Sequence, residues 1–264
     1  MILNLNDMNT KKCVIVVPIY KKLDEIEQFS FNTLISLVKN IDIVIIKPSS
    51  MSFAYLGYKE ISFNDDYFKS TDSYSELCKS HEFYMAFSEY EYMLIYQLDC
   101  ILLKNDILKW CERGYDYIGA PIISSNANWD IVPAIGNGGL SLRRIEKFLE
   151  LTNADYKFLK KYSTAYDNNS KKELYDKYED LYFCEFVSSK WKFTTPSFKI
   201  ACKFSMDMNP DHISMSELPM GIHAFDKNIP FWRKVISIPA NVVNKCYIKN
   251  RDFIEAYYSN KKSK

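Results

Sequence analysis

With 264 residues, 47% hydrophobic and 16% aromatic, the chain can bury one substantial core, so a single domain over residues 1–264 is the expectation. Lys plus Arg number 34 against 33 Asp plus Glu, so no whole-chain charge favours nucleic acid, and none is expected as a partner. The seven cysteines are odd in number and include no C-x-x-C pair, which points to neither a zinc knuckle nor a disulfide framework and suits a reducing cytosol. The first residues lack the pattern of a signal peptide, and no stretch reaches the roughly 18 apolar residues of a spanning helix.

Cys13 to Ile19 is a continuous, β-branched apolar run, the mark of a strand buried on both faces. Ile26, Phe29, Leu34, Leu37 and Val38 then recur at near-helical spacing over 23–39, and Ile43 to Ile46 repeats the strand signature before Pro48. A weak strand near 58–63 and a helix over about 74–90 lead into a strand that ends at Asp99. Residues 105–113 read as a helix capped by Asn105 and stopped by Gly114, followed by a short strand at 115–118. Residues 122–133 read as a polar loop, and further helices are expected over about 145–162 and 180–190. From about 249 the chain becomes a basic, aromatic tail, expected to be frayed and solvated, with contact to an anionic membrane surface as the alternative. Alternating strands and helices predict an α/β fold with a mostly parallel sheet, where ligands bind at the carboxyl ends of strands.

Several residues could carry chemistry. Asp99 closes the apolar run Tyr92-Met-Leu-Ile-Tyr-Gln-Leu98, and a carboxylate there is costly to desolvate unless a cation or donors meet it, so a cleft and a hard divalent cation are expected. Gly136-Asn137-Gly138-Gly139 places three of only seven glycines within four residues. Such a run marks backbone that bends through positive φ or approaches a ligand closely. Glu179-Asp180 stands at an expected helix start, where a carboxylate is stabilised by the helix dipole or acts as a general base. His223 lies among apolar neighbours, as a core group or a ligand.

In this order, the stretches Val17-Pro-Ile-Tyr20, Phe83-Tyr84, Tyr92 to Asp99, Tyr115 to Pro121, Gly136 to Arg143, Glu179-Asp180 and Pro219 to His223 resemble a bacterial glycosyltransferase family of the GT-A type, the DUF5672 group. The resemblance spans roughly residues 13–225 and implies a GT-A-like, Rossmann-like mixed sheet flanked by helices. It implies a nucleotide-diphosphate sugar donor, a UDP-sugar first among them, with Mn2+ or Mg2+ on its diphosphate held by Asp99 and His223. Gln97 stands where the first Asp of a D-x-D motif would be, and its neutral oxygen is expected at ribose or a water. Donor contacts are expected from Pro18, Tyr20, Tyr74, Gln97, Leu98, Asp99, Asn137, Gly138 and Gly139, and an acceptor contact from Trp129. Arg143 or Arg144 is set either to reach phosphate or to form an exposed salt bridge.

By the same resemblance Asp180 is the catalytic base, with Glu179 the competing choice, in an inverting transfer to a glycan or lipid-linked acceptor during bacterial surface-polysaccharide synthesis. A cytoplasmic location follows, with peripheral attachment to the inner face of the membrane where the acceptor is a lipid. Two rivals stand beside this reading. A nucleotidylyltransferase usually carries a glycine-rich loop after its first strand, and Pro18 to Asp24 holds no glycine. A non-catalytic nucleotide-sugar or carbohydrate-binding protein would keep the cleft and lose turnover.

Overall fold

The computed structural model describes residues 11–123, 131–153, 169–190, 192–212 and 217–262. The first strand, β1 (Lys11–Pro18), is followed by α1 (Glu25–Leu37), β2 (Asp42–Pro48), β3 (Lys59–Phe63), α2 (Thr71–Lys79), α3 (His81–Met85) and β4 (Tyr90–Tyr96). Next come β5 (Ile101–Leu102), α4 (Ile107–Cys111), β6 (Tyr117–Ile123), β7 (Ile131–Arg144) and α5 (Ile145–Thr152). After α6 (Asn169–Lys177), the short α7 (Glu179–Leu181) runs into a π-helical stretch, Tyr182–Val187, and the chain continues through α8 (Phe198–Phe204), β8 (Ser205–Met206) and β9 (Gly221–Ile222). Three helices close it, α9 (Ile229–Trp232), α10 (Ala240–Lys249) and α11 (Arg251–Lys262).

Six strands form the main sheet in the order β3-β2-β1-β4-β7-β6, parallel from β3 to β4 and antiparallel at β4–β7 and β7–β6. The mixed, mostly parallel sheet expected from the sequence is therefore present. Side chains alternate across it. Val14, Val16, Val44, Ile46, Met93 and Ile95 pack on one face with Phe83 and Phe148, while Ile15, Val17, Ile45, Leu94 and Tyr96 pack on the other with Phe31, Leu34 and Trp110. Burial on both faces is why β1 and β4 read as unbroken apolar runs. A capping box starts α1: Asp24 Oδ1 accepts from the Ile26 and Glu27 N–H groups at 2.9 Å, and Glu27 Oε2 accepts from the Asp24 N–H at 3.0 Å.

Several elements depart from expectation. Strand β4 ends at Tyr96, so residues 97–99 form a turn beyond it rather than its last residues. The helix expected over 74–90 breaks at Ser80, whose hydroxyl accepts from the Phe83 N–H and restarts the chain as α3. Asn105 caps nothing; it donates to the Leu37 carbonyl at 3.3 Å, and α4 follows Asp106, while Gly114 does take a left-handed φ of 74° after it. Residues from Ile131 are strand rather than loop, because β7 runs 14 residues. Helix α5 ends at Thr152, and the expected continuation lies outside the described residues. The basic C-terminal segment is helical rather than frayed: Ile254 is buried in a third core with Trp232, Val242 and Cys246, and Tyr257 donates to Asp211 Oδ1 at 2.9 Å. The seven cysteines are free, and six of them are buried. Among the described residues no helix is long and apolar enough to cross a membrane.

A candidate active site around a glycine bulge

Two strand pairings bring the site together. Strand β7 runs beside β4 with Leu140 opposite Tyr96, so the Gly139 carbonyl receives the Gln97 N–H at 2.9 Å just past the end of β4. Strand β5, which begins two residues after Asp99, pairs antiparallel with β9, placing Ile101 opposite Ile222. The residues flanking that pair therefore meet, and the Phe225 N–H reaches the Asp99 carbonyl at 3.1 Å. Asp99 and His223, 124 positions apart in sequence, become neighbours by register.

His223 Nε2 lies 3.3 Å from Asp99 Oδ1, and neither atom has a hydrogen-bond partner although both are buried. The distance is that of an ion pair without the alignment of a hydrogen bond. On the other side of the ring, His223 Nδ1 is 3.1 Å from Asp207 Oδ1. Burial alone would lower the imidazole's proton affinity, but Asp99 and Asp207 outweigh it and hold the ring well above its ordinary value. Burial pushes the Asp99 carboxyl up, and the imidazole with Lys227 and Lys249 overcomes this and brings it down to about 2. Cys100 Sγ stands near both groups, but burial drives its thiol well above the usual range, and it donates to the Gly139 carbonyl at 3.4 Å.

This donor set fits a hard divalent cation. Such an ion takes carboxylate oxygen and imidazole nitrogen, and octahedral ligands at about 2.1 Å stand about 3 Å apart, close to the Asp99–His223 separation. Two buried, unpartnered polar atoms facing one another are the observation that the ion would answer.

The glycine run lies inside β7 and takes no positive φ; among the described residues the positive-φ glycines are Gly57 and Gly114. Of the two reasons expected for glycine here, positive φ is absent, and the close approach present is that of neighbouring protein atoms. The register to β6 jumps from Gly119↔Ser141 to Ala120↔Asn137, which leaves Gly138, Gly139 and Leu140 as a bulge. A Cβ on Gly139 would stand 2.2 Å from His223 Nε2 and 2.7 Å from Gln97 Oε1. One on Gly138 would stand 2.2 Å from Glu179 Oε1, and one on Gly136 would meet the Gly119 backbone nitrogen at 2.7 Å. Asn137 turns back onto its own strand, its Oδ1 accepting from the Gly139 N–H at 2.8 Å.

Asp180 and Glu179 both reach the bulge at Gly138. Asp180 Oδ2 accepts from the Gly138 N–H at 3.2 Å and its Oδ1 from the Leu181 N–H at 2.8 Å. Glu179 Oε1 accepts from Arg143 Nη2 at 2.7 Å, and Arg143, wholly buried, also donates to Tyr84 at 3.0 Å and Ser141 at 3.1 Å. Arg143 therefore forms neither a phosphate contact nor an exposed salt bridge, and Arg144 donates to Tyr92 at 2.9 Å, close to Asp116. Burial first and the Glu179 charge second push the Asp180 carboxyl up to about 7. The two adjacent carboxylates are thus unlike: one is claimed by a guanidinium, the other has only backbone donors. The π-helical stretch that follows them is a rare element that recurs at functional sites.

A cleft of about 520 Å³ opens at the carboxyl ends of β1 and β4 and is lined by Pro18, Tyr20, Tyr74, Gln97, Leu98 and Asp99 among others. Six of the expected donor contacts thus share one cavity. Glu179 and Asp180 are not among its lining residues, although Tyr74 is, and Tyr74 lies in the field of Arg143 and Glu179. Trp129 lies outside the described residues. Sequence reasoning missed Asp207, which nothing in its local pattern singles out, and Lys249, which lines the cleft from the end of α10 while paired at 3.0 Å with buried Asp226.

The model of a family described as protein of unknown function, DUF5672, matches residues 57–223, from just before β3 through the bulge to His223. The chain belongs to the DUF5672 family. No curated protein matches this DUF5672 chain. Solved structures do. Mouse xyloside xylosyltransferase 1 in its apo form is 12% identical, with 80% of this chain and 97% of that one covered at a TM-score of 0.52. An active-site mutant of the galactosyltransferase LgtC is 11% identical, with 80% and 86% covered at a TM-score of 0.51. At such identity the likeness is one of fold, and the DUF5672 chain has the GT-A-like fold that its motifs imply.

Proposed function

We propose that residues 1–264 act as one glycosyltransferase domain that moves a sugar from a nucleotide-diphosphate donor, a UDP-sugar first among them, to a hydroxyl of a glycan or lipid-linked acceptor. The transfer is inverting, depends on Mn2+ or Mg2+, and serves bacterial surface-polysaccharide synthesis on the cytoplasmic side, at the inner face of the membrane where the acceptor is lipid-linked. The observation that carries this reading is the meeting of His223, against the glycine bulge, with Asp99, which lines the strand-end cleft, through two buried atoms that have no hydrogen bond. The glycosyltransferase neighbours of the fold support it.

In this reading Asp99 and His223 hold the divalent ion, which when bound supplies positive charge to the departing diphosphate. Pro18, Tyr20, Tyr74 and Leu98 shape the cleft around base and ribose, and Gln97 offers a neutral oxygen to ribose or a water. Glycine at 138 and 139 lets Glu179, His223 and Gln97 come against the backbone of the bulge, which gathers the site's side chains there. Asp180 takes the acceptor's proton, because a base works best with proton affinity near the operating pH and Asp180 has been brought there by burial. Glu179, with an oxygen held by Arg143 at 2.7 Å, is the poorer base. Trp129 is the proposed acceptor contact.

A panel of nucleotide sugars, incubated with Mn2+ and assayed for donor turnover, tests this. Asp180→Asn should keep donor affinity while turnover falls roughly 10²- to 10⁴-fold. Turnover equal to wild type would remove Asp180 as base, and no nucleotide-sugar binding at all would remove the function.

A further inference from the structure

Asp207 is a carboxylate that the fold buries with no Lys or Arg against it among the described residues. It follows β8, which pairs in parallel with β9, and the His223 N–H donates to the Met206 carbonyl at 2.8 Å, so the residue after β8 and the residue after β9 are set side by side. The chain then turns through the left-handed conformation at Asn209, φ 59°. Asp207 is 6% exposed, and among the described residues it pairs with no Lys or Arg; the ion pair it makes is with His223. A buried carboxylate left alone costs several kcal/mol. The His223 Nδ1–H is what meets it, at 3.1 Å.

This contact dictates the other end of the ring. A carboxylate oxygen accepts, so Nδ1 is the nitrogen that donates, and in the neutral imidazole Nε2 is left with its lone pair. That lone pair stands 3.3 Å from Asp99 Oδ1, with no hydrogen-bond partner for either atom. In the ion pair a proton on Nε2 faces Asp99, and a cation bound beside Asp99 would take that proton's place and meet the same lone pair.

We propose that Asp207 is a positioning residue that fixes the tautomer and direction of His223 so that Nε2 faces a divalent cation shared with Asp99. The inference rests on the metal reading above and goes beyond it in assigning the carboxylate behind the ligand. Partners of this kind set ligand basicity and orientation, and their loss typically weakens metal binding roughly 10- to 100-fold.

The test uses the full chain and Mn2+ as probe, counted by electron paramagnetic resonance with and without UDP. Wild type should bind Mn2+ saturably, Asp207→Ala should bind it 10- to 100-fold more weakly, and Asp207→Asn, which keeps an acceptor but not the charge, should fall between. Equal affinity in wild type and Asp207→Ala overturns the role of Asp207 while leaving Asp99 and its ion standing. No Mn2+ bound by wild type in either arm overturns the metal reading, and this inference with it. Should the variants fail to fold, wild type alone decides: long-range proton–nitrogen spectra of His223 in the Mg2+-saturated protein should show Nδ1–H, and an Nε2–H tautomer overturns the proposal.

Discussion

Asp99 Oδ1 and His223 Nε2 face one another at 3.3 Å with no hydrogen bond to anything else. Hydrogen-bonded burial is the rule for polar atoms, so a close, buried ion pair without that alignment points to a purpose besides packing. If that purpose is a divalent ion on a diphosphate, Mn2+ should raise affinity for UDP in wild type by an order of magnitude or more and do so much less in Asp99→Ala. Calorimetric titration with and without EDTA reads this directly. Equal enhancement in both proteins would take Asp99 out of the site.

The glycines separate fold from site. A methyl at Gly136 would meet backbone of β6, which cannot move without parting the strands, whereas one at Gly139 meets the ends of two side chains, His223 and Gln97. Gly136→Ala should therefore cost about 1–3 kcal/mol of stability, the usual toll of overpacking. Gly139→Ala should weaken Mn2+ binding as well as lower Tm, because the buried imidazole must shift and strain its contact with Asp207, whereas Gly136→Ala should lower Tm and leave metal affinity unchanged. Thermal melts beside metal titrations check both, and the opposite pattern would mean that the bulge has no part in the site.

The C-terminal helix α11 is a structural element by its packing, since Ile254 enters the core formed by Trp232, Val242 and Cys246. Ile254→Ala should lower stability by about 2 kcal/mol, in the range for a buried aliphatic truncated to alanine. Chemical denaturation measures it. A solvated tail would show no change.

Much of this was legible before any coordinates. The apolar runs of β1 and β4 announced buried strands because both of their faces are covered, and Asp99 stood out because a charge ended one of those runs. The glycine run was conspicuous, but its cause was not: a sequence shows that side chains are missing, not whether φ or a neighbour requires it. Arg143 read as a phosphate contact or an exposed salt bridge because burial of its guanidinium depends on Glu179, 36 positions away, meeting it. Asp207 was invisible for the same reason, as its partner arrives only through the β8–β9 register. The helical C-terminal segment was misread because its scattered Lys and Arg suggest a solvated tail, while the packed side is marked by little more than Ile254 and its neighbour Phe253.

The unlike environments of Glu179 and Asp180 make a pH signature. Asp180 is raised to about 7 by burial and by the Glu179 charge, against the Leu181 and Gly138 N–H groups and Arg143; Tyr117 and Cys184 are the other titratable groups beside it. As a base it must be ionised, so turnover should rise with pH through about 7. Glu179→Gln removes a neighbouring negative charge and should move that limb to lower pH. The same group acts on stability with a definite sign. Folding raises its proton affinity, so between about pH 4 and 7 the folded chain holds a proton that the unfolded chain has released. That contribution is complete below the unfolded value near 4 and is lost as pH rises through about 7. Asp180→Asn carries no such dependence, so its stability relative to wild type should rise from pH 5 to pH 8, by about 2–3 kcal/mol. A constant difference across that range would mean that Asp180 ionises in the folded protein as freely as in water, and its choice over Glu179 as base would lose its physical ground.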